Sequence, residues 1–348
     1  MWQIKGQDGA LALIENEIQT GSLPHAYLLV GPAHIGKTTL ALDIARIINC
    51  QGDSPPCSEC PSCSRIANGR YTDVMIIALD QSLTKNKSEM TAHSEISIKE
   101  IQELQKRASL PPFEGKYKVF IINGAENLST EAANCLLKIL EEPPQQVIII
   151  LLTTDDSKLL PTVVSRCQRI ELRPLSSNKV EEMLINSFDM EIDKARILSR
   201  LSEGCLGQAL VSSTDNKWLE QRSQRLVELF SLIKETYYER FSYVAQIDNS
   251  RKTTEQLLKS WLPWWRDIIL IKCGCEQAII NLDFISIARE WAHAFELEEL
   301  TNFVDSLLQA LDQISKNVNG RLVMEILMLN MPLMKVEGQQ SITAPGNT

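Results

Sequence analysis

The chain reads as an α/β nucleotide-binding domain that gives way to helical structure, and three observations lead there. A short apolar strand, His25 to Val30, runs into a glycine-bracketed lysine loop and then an apolar helix. Two more apolar strands, Lys118 to Asn123 and Val147 to Leu152, lie downstream, and the C-terminal third carries apolar residues at helical spacing. The 348 residues, 44% of them apolar, suffice for two or three cores at roughly 100 to 150 residues per domain.

The N-terminus, Met1-Trp2-Gln3-Ile4-Lys5-Gly6, has no apolar signal core, and the run Val147 to Leu152 is far shorter than a bilayer span. The expectation is a cytoplasmic chain without a membrane segment. A net charge of −9 argues against a protein that coats DNA, because non-specific duplex binding depends on Lys and Arg displacing counterions. Contact with DNA would be local or shared with partners.

The lysine loop is Gly31-Pro32-Ala33-His34-Ile35-Gly36-Lys37-Thr38, with Thr39 next and a helix expected over Leu40 to Ile48. Glycines allow backbone N–H groups to close around phosphate. Lys37 can reach the β and γ oxygens, Thr38 can ligate Mg²⁺, and a helix N-terminus favours anions. Gly31, Gly36, Lys37, Thr38 and Thr39 are therefore the candidate ATP/Mg²⁺ residues. A phosphate loop indicates nucleotide, not hydrolysis.

Four of the nine cysteines, Cys50, Cys57, Cys60 and Cys63, follow in a C-x6-C-x2-C-x2-C spacing. Gly52, Pro55, Pro56 and Pro61 break any continuous helix there and let four thiolates converge on one ion, for which Zn²⁺ is the natural occupant. With four sulfurs and no nearby His the site would be closed and structural. The alternative is a loop of reduced, unliganded thiols.

The strand Lys118 to Asn123 stands where a phosphate-loop ATPase places its second acidic motif. Asp would there hold the Mg²⁺ shell and Glu would polarise water; this chain has Asn123 and Gly124. Hydrolysis by the chain itself is expected to be weak or absent. Glu126, two residues on, is read as a surface or helix-start carboxylate in preference to a displaced base.

Several blocks together resemble the clamp-loader subunits of the AAA+ class, over nearly the whole chain. They are His25-Ala26-Tyr27 before the phosphate loop, the four-cysteine module, Ala132-Ala133-Asn134-Cys135-Leu136-Leu137-Lys138-Ile139-Leu140-Glu141-Glu142-Pro143-Pro144, and Ser165-Arg166-Cys167. In the third block Ser129 is placed to cap a helix that Pro143 and Pro144 stop. The resemblance implies that Arg166 is an arginine finger delivered in trans to a neighbour's ATP, a role that suits a guanidinium facing a transferring phosphoryl group. It also implies that Thr154 senses the γ-phosphate, although Thr153 adjoins it. Where motor subunits of the family carry a nucleotide-contacting Arg, this chain has Gly207.

The losses at Asn123, Gly124 and Gly207 resemble the delta-prime branch of the family more than the gamma/tau motors. The implied organisation is an AAA+ domain over 1–174 with the zinc module at 50–63, a helical lid over 175–214, an all-α collar over 215–335, and a disordered tail over 336–348. The implied partners are a delta subunit and gamma/tau subunits in a hetero-oligomer, with the sliding clamp and primer-template DNA reached through that complex during replication. A mobile loop is expected over 80–95 and a helix over 98–108. Trp261, Trp264 and Trp265 are read as helix packing, since a base-stacking surface would want more cations than Lys259 and Arg266. Pro263 is expected to kink or end its helix. Two rival readings stay open: a self-sufficient motor with Glu126 as its acid, and a zinc-dependent nucleic-acid module, against which the Cys50 to Cys63 loop has no Lys or Arg.

Overall fold

The structure, a computed structural model, describes residues 2–79, 95–214, 216–248, 250–316 and 318–334. The loop expected over 80–95, Glu95 excepted, and the tail expected over 336–348 lie outside the described residues. The chain divides into two compact units, Met1–Val180 with Gly204–Gln208, and Glu181–Glu203 with Ala209–Thr348.

In the first unit helix α1 (Asp8–Thr20) precedes strand β1 (Ala26–Val30), and the lysine loop leads into α2 (Lys37–Ile48). A short helix α3 (Pro61–Ala67), strand β2 (Val74–Ala78), α4 (Ile98–Ala108) and β3 (Lys118–Asn123) come next. Helix α5 (Thr130–Glu141), β4 (Val147–Thr153), the four-residue α6 (Pro161–Val164) and β5 (Gln168–Glu171) complete the sheet. All five strands are parallel, in the order β2-β3-β4-β1-β5.

A parallel sheet is covered by helices on both faces, which is why β1, β3 and β4 are apolar without alternation. Tyr27, Leu29, Val119, Ile121, Ile148 and Ile150 pack on one side with Leu40 and Ile44 of α2. Leu28, Phe120, Ile122, Ile149 and Leu151 pack on the other with Leu104 of α4 and Leu136 of α5. Local sequence explains the boundaries. Ser129 caps α5 by accepting the Ala132 N–H at 3.1 Å, and Ser97 and Glu100 close a capping box on α4.

In the strand order β4 separates β1 from β3, and the register sets Val30 beside Thr153 and Asn123 beside Leu152. The Gly31 N–H donates to Thr153 O at 3.2 Å and the Gly124 N–H to Leu152 O at 3.0 Å. The lysine loop, Thr154 and the Asn123-Gly124 turn therefore emerge side by side at the carboxyl ends of the strands, where open α/β sheets bind ligands.

Helices α7 (Ser177–Phe188) and α9 (Leu206–Thr214) each span the division between the units, and α8 (Ile192–Leu201) belongs to the second. That unit continues with α10 (Asn216–Leu232), α11 (Tyr237–Gln246), α12 (Arg251–Lys272), α13 (Ile285–Ala294), α14 (Leu297–Ser315) and α15 (Gly320–Asn330). Trp261, Trp264 and Trp265 are fully buried in its core. Trp264 meets Phe230 at 4.6 Å and Trp291 at 5.4 Å between ring centroids, and Trp265 meets Phe303 at 4.6 Å. The tryptophans are thus packing residues, as their spacing suggested. Pro263 does not end its helix: α12 runs through it for 22 residues. The lost N–H costs one helical hydrogen bond, which the burial of three neighbouring indoles outweighs.

Buried Arg240 donates to five carbonyls: Leu232, Ile233, Met328, Met331 and Pro332. It ties the end of α10 to the end of α15, where unsatisfied helical carbonyls concentrate negative charge.

Candidate functional site

The lysine loop is built as the sequence suggests. Gly36 precedes α2, and Ile35 turns inward to the core between β1 and α2. Lys37 is buried, and its ammonium donates to Gly31 O at 2.5 Å and Pro32 O at 2.8 Å, folding back along its own loop. Burial lowers its pKa, while negative charge at Glu126 and Cys205 works the other way. Thr38 and Thr39 are half-buried in the first turn of α2. These groups suit a phosphate chain: a cation, two hydroxyls and uncapped helical N–H groups converge.

The second motif fits a magnesium-bound triphosphate poorly. Asn123, the last residue of β3, contributes no charge. Gly124 turns the chain with φ +80°, and a Cβ added there would lie 2.8 Å from Asn127 Nδ2, so the acid is missing from a position that favours glycine. Gly207 departs from the motor pattern for a different reason: a Cβ added to it would come within 2.5 Å of His34 O, in the lysine loop. An Arg could stand there only if one backbone moved.

Glu126 is the helix-start carboxylate that the sequence suggested, half-buried in the first turn of a short helix. The turn at Gly124 and a short 3-10 helix, Ala125–Asn127, carry it back against the end of β4. Its Oε1 accepts from Thr154 Oγ1 at 2.7 Å and Thr154 N at 3.2 Å, and its Oε2 is buried without a hydrogen-bond partner. Burial works against its ionisation, but the Thr154 hydroxyl, with help from the N–H of Glu126 itself, Thr153 and the Thr154 N–H, prevails and its pKa is lowered. The two threonines also separate. Thr153 is buried and donates to Asp155 O, whereas exposed Thr154 faces Glu126.

Arg166 lies elsewhere. It follows α6 and precedes β5, and the register sets Gln168 beside Tyr27, three residues short of the end of β1. Arg166 thus enters the sheet at the amino end of β5, not at the lysine loop. One nitrogen pairs with Glu141 Oε1 at 2.7 Å, and another donates to Thr162 O at 2.9 Å. The guanidinium is about one-third exposed. Cys167 sits half-buried just ahead of β5, and burial pushes its thiol up to about 12.

The four cysteines converge. Cys50 follows α2, Cys60 caps α3 and Cys63 lies in its first turn, while Pro61 starts that helix instead of excluding it. The Sγ atoms of Cys50, Cys57, Cys60 and Cys63 all lie within 4.8 Å of one another. Tetrahedral zinc with sulfur at 2.3 Å would set them about 3.8 Å apart, so a small contraction would close the shell. N–H groups already point at the sulfurs: Gly52 and Cys57 at Cys50 Sγ (3.4 and 3.5 Å), Cys60 at Cys57 Sγ (3.3 Å) and Cys63 at Cys60 Sγ (3.4 Å). Burial opposes ionisation of Cys60, but N–H donors from Gln51 and Cys63 bring it down to about 6, whereas burial pushes Cys63 up to about 12. A divalent cation would let all four ionise together. The donor set fits a closed metal centre.

Sequence reasoning missed the pair beneath this centre. Asp43 and Arg46, both fully buried in α2, bond at 2.9 Å. Asp43 also accepts the Gln3 and Ile4 N–H groups, and Arg46 reaches Ser58 Oγ at 2.5 Å. The available signal was two opposite charges three residues apart in an otherwise apolar helix.

Residues 6–176 match the family described as DNA polymerase III, delta subunit. The chain is 29% identical over 330 residues to the DNA polymerase III subunit delta' of Bacillus subtilis, covering 93% of this chain and 95% of that protein. It is 25% identical over 353 residues to subunit tau of the same organism, covering 94% of this chain but 60% of tau. Against subunit gamma of Buchnera aphidicola the identity is 32% over 212 residues, 59% of this chain and 54% of that one. Among the described residues no helix is long and apolar enough to cross a membrane. A phosphate-loop sheet, a four-cysteine cluster and similarity along nearly the full length of a delta' subunit agree: over residues 6–176 the chain matches the DNA polymerase III, delta subunit family, and it is similar to the delta', tau and gamma subunits of that polymerase.

Proposed function

We propose that the chain is the delta-prime-type, non-motor subunit of a cytoplasmic clamp loader, and that it supplies Arg166 in trans to a neighbouring ATPase subunit. The observation that carries this reading is a contrast within one domain. The chain's own second motif, Asn123-Gly124, has no acid, while Arg166 stands partly exposed at the amino end of β5, away from its own lysine loop. A finger that serves no local phosphate is suited to a neighbour's.

In this reading residues 1–174 are the AAA+ domain, 175–214 the lid and 215–335 the collar through which a hetero-oligomer assembles. The partners are a delta subunit and gamma/tau motors; the sliding clamp and primer-template DNA are engaged through the complex. Lys37, Thr38 and Thr39 would hold the phosphates of a bound nucleotide, and Cys50, Cys57, Cys60 and Cys63 a structural Zn²⁺. ATP hydrolysis by the neighbour supplies the energy for clamp loading; this chain's share is a charge delivered to the phosphoryl group.

The test is the clamp- and DNA-stimulated ATPase of the reconstituted complex. Arg166→Ala should lower turnover at least about tenfold with assembly intact, because a lost finger costs roughly 10³-fold at the site it serves. Arg166→Lys should not restore it, since an ammonium cannot reproduce the planar fork. Unchanged turnover in Arg166→Ala would refute the trans role, and rapid turnover by the isolated chain would refute the non-motor assignment.

A further inference from the structure

We propose that Glu126 is a built-in substitute for a terminal phosphate, so that the lysine loop of this chain accepts a nucleoside diphosphate in preference to a triphosphate. The inference deepens the non-motor reading above and rests on it. A terminal phosphate in a P-loop site needs three things: a lysine, a polar donor at the end of the adjacent strand and a metal held by an acid. In this chain two of the three are already committed or missing.

The donors come first. Thr154 follows Thr153, whose carbonyl accepts the Gly31 N–H, so Thr154 borders the lysine loop. Both donors of Thr154, its hydroxyl and its N–H, are taken by Glu126 Oε1 at 2.7 and 3.2 Å. The second carboxylate oxygen, Oε2, is buried and unpartnered, an arrangement that costs free energy unless nearby charge compensates it. Of the charges that act on Lys37, that of Glu126 weighs most. The carboxylate thus makes the polar contacts that a γ-phosphate would otherwise seek.

The metal comes second. Asn123 and Gly124 provide no carboxylate for a magnesium shell, and the left-handed turn at Gly124 is the same feature that brings Glu126 back over β4. One turn therefore removes the acid that favours a triphosphate and installs the acid that opposes it. A γ-phosphate would meet a fixed negative charge with no acid-held metal to offset it, and would compete with that charge for Lys37. A diphosphate, ending one group earlier, keeps Lys37 and the N–H groups of α2 and avoids that repulsion.

The experiment is titration of the full-length chain with MgADP and with MgATP by calorimetry, beside Glu126→Gln, Glu126→Ala and, as a loop control, Lys37→Ala. The native chain should bind MgADP about tenfold or more tightly than MgATP, the order expected for one like-charge encounter near a protein surface. Glu126→Gln keeps the shape and loses the charge, so its ratio should fall toward one, chiefly through tighter MgATP; Glu126→Ala should do the same. Native affinity for MgATP equal to or above that for MgADP would overturn the proposal, as would an unchanged ratio in both Glu126 variants or no binding of either nucleotide at about 1 mM. The native ratio decides even where a variant folds poorly. Failure here leaves the Arg166 result untouched, and failure of Arg166 leaves this ratio untouched, so the two readings fall separately.

Discussion

At the scale of single residues, chemistry and conformation divide the lost catalytic groups. Gly124 lacks an acid and also occupies a backbone state, φ +80°, that an L-glutamate would resist, so restoring the acid alone would not rebuild a motor. Asp73 makes a different point. Its carboxylate is buried and accepts the N–H groups of Phe113, Glu114 and Gly115 at 2.8 to 3.1 Å, fastening the loop ahead of β3. Burial disfavours its ionised form, but these donors prevail and hold its pKa below the ordinary 3.8. The unfolded chain therefore binds the proton more readily. The stabilisation is complete above about pH 4 and is lost as pH falls through the depressed folded value. Asp73→Asn should lower stability at neutral pH and flatten the acid limb of a urea-unfolding series below about pH 4; an unchanged limb would show that the loop does not depend on this charge.

At the scale of elements, the four-cysteine loop joins α2 to α3, and the Asp43–Arg46 pair joins α2 to the N-terminal residues Gln3 and Ile4 and to Ser58 of that loop. A metal held by the four thiolates would support the same few turns as the ion pair. Zinc content should be about one ion per chain, as four thiolates imply. Its removal by a strong chelator, or Cys60→Ser, should lower the unfolding temperature and raise hydrogen exchange in α3 and the end of α2, because metal binding is coupled to folding. A chain that loses its metal with neither change would reduce the cluster to four free thiols. The cluster was legible from spacing alone. The ion pair was not, because single charges in an apolar helix usually sit on its solvent face and only packing shows that these do not.

At the scale of the whole molecule, two kinds of core serve two units. The first closes over a parallel sheet whose strands are apolar on both faces; the second is a helical core centred on Trp261, Trp264, Trp265 and Trp291. Trp265 touches Trp291, Phe295 and Phe303. Trp265→Ala should cost about 3 to 5 kcal/mol, the range for deleting a fully buried large aromatic, read as a lower denaturation midpoint by tryptophan fluorescence. A loss under about 1 kcal/mol would mean that the core collapses around the gap.

By itself the amino-acid sequence determined the phosphate loop, the four-cysteine spacing, the missing acids at Asn123 and Gly124, and the helical packing role of the tryptophans. Each of these is local: a handful of consecutive residues fixes backbone freedom, ligand spacing or periodicity. Tertiary structure decided what depends on distant segments meeting. The strand order that brings Thr154 between the lysine loop and Gly124, the return of Glu126 onto Thr154, the approach of Gly207 to His34, and the pairing of Arg166 with Glu141 all join residues far apart in the chain. Periodicity carries no information about which strand lies beside which, and a carboxylate two residues past a turn can face water or a lysine loop until the turn's φ is known.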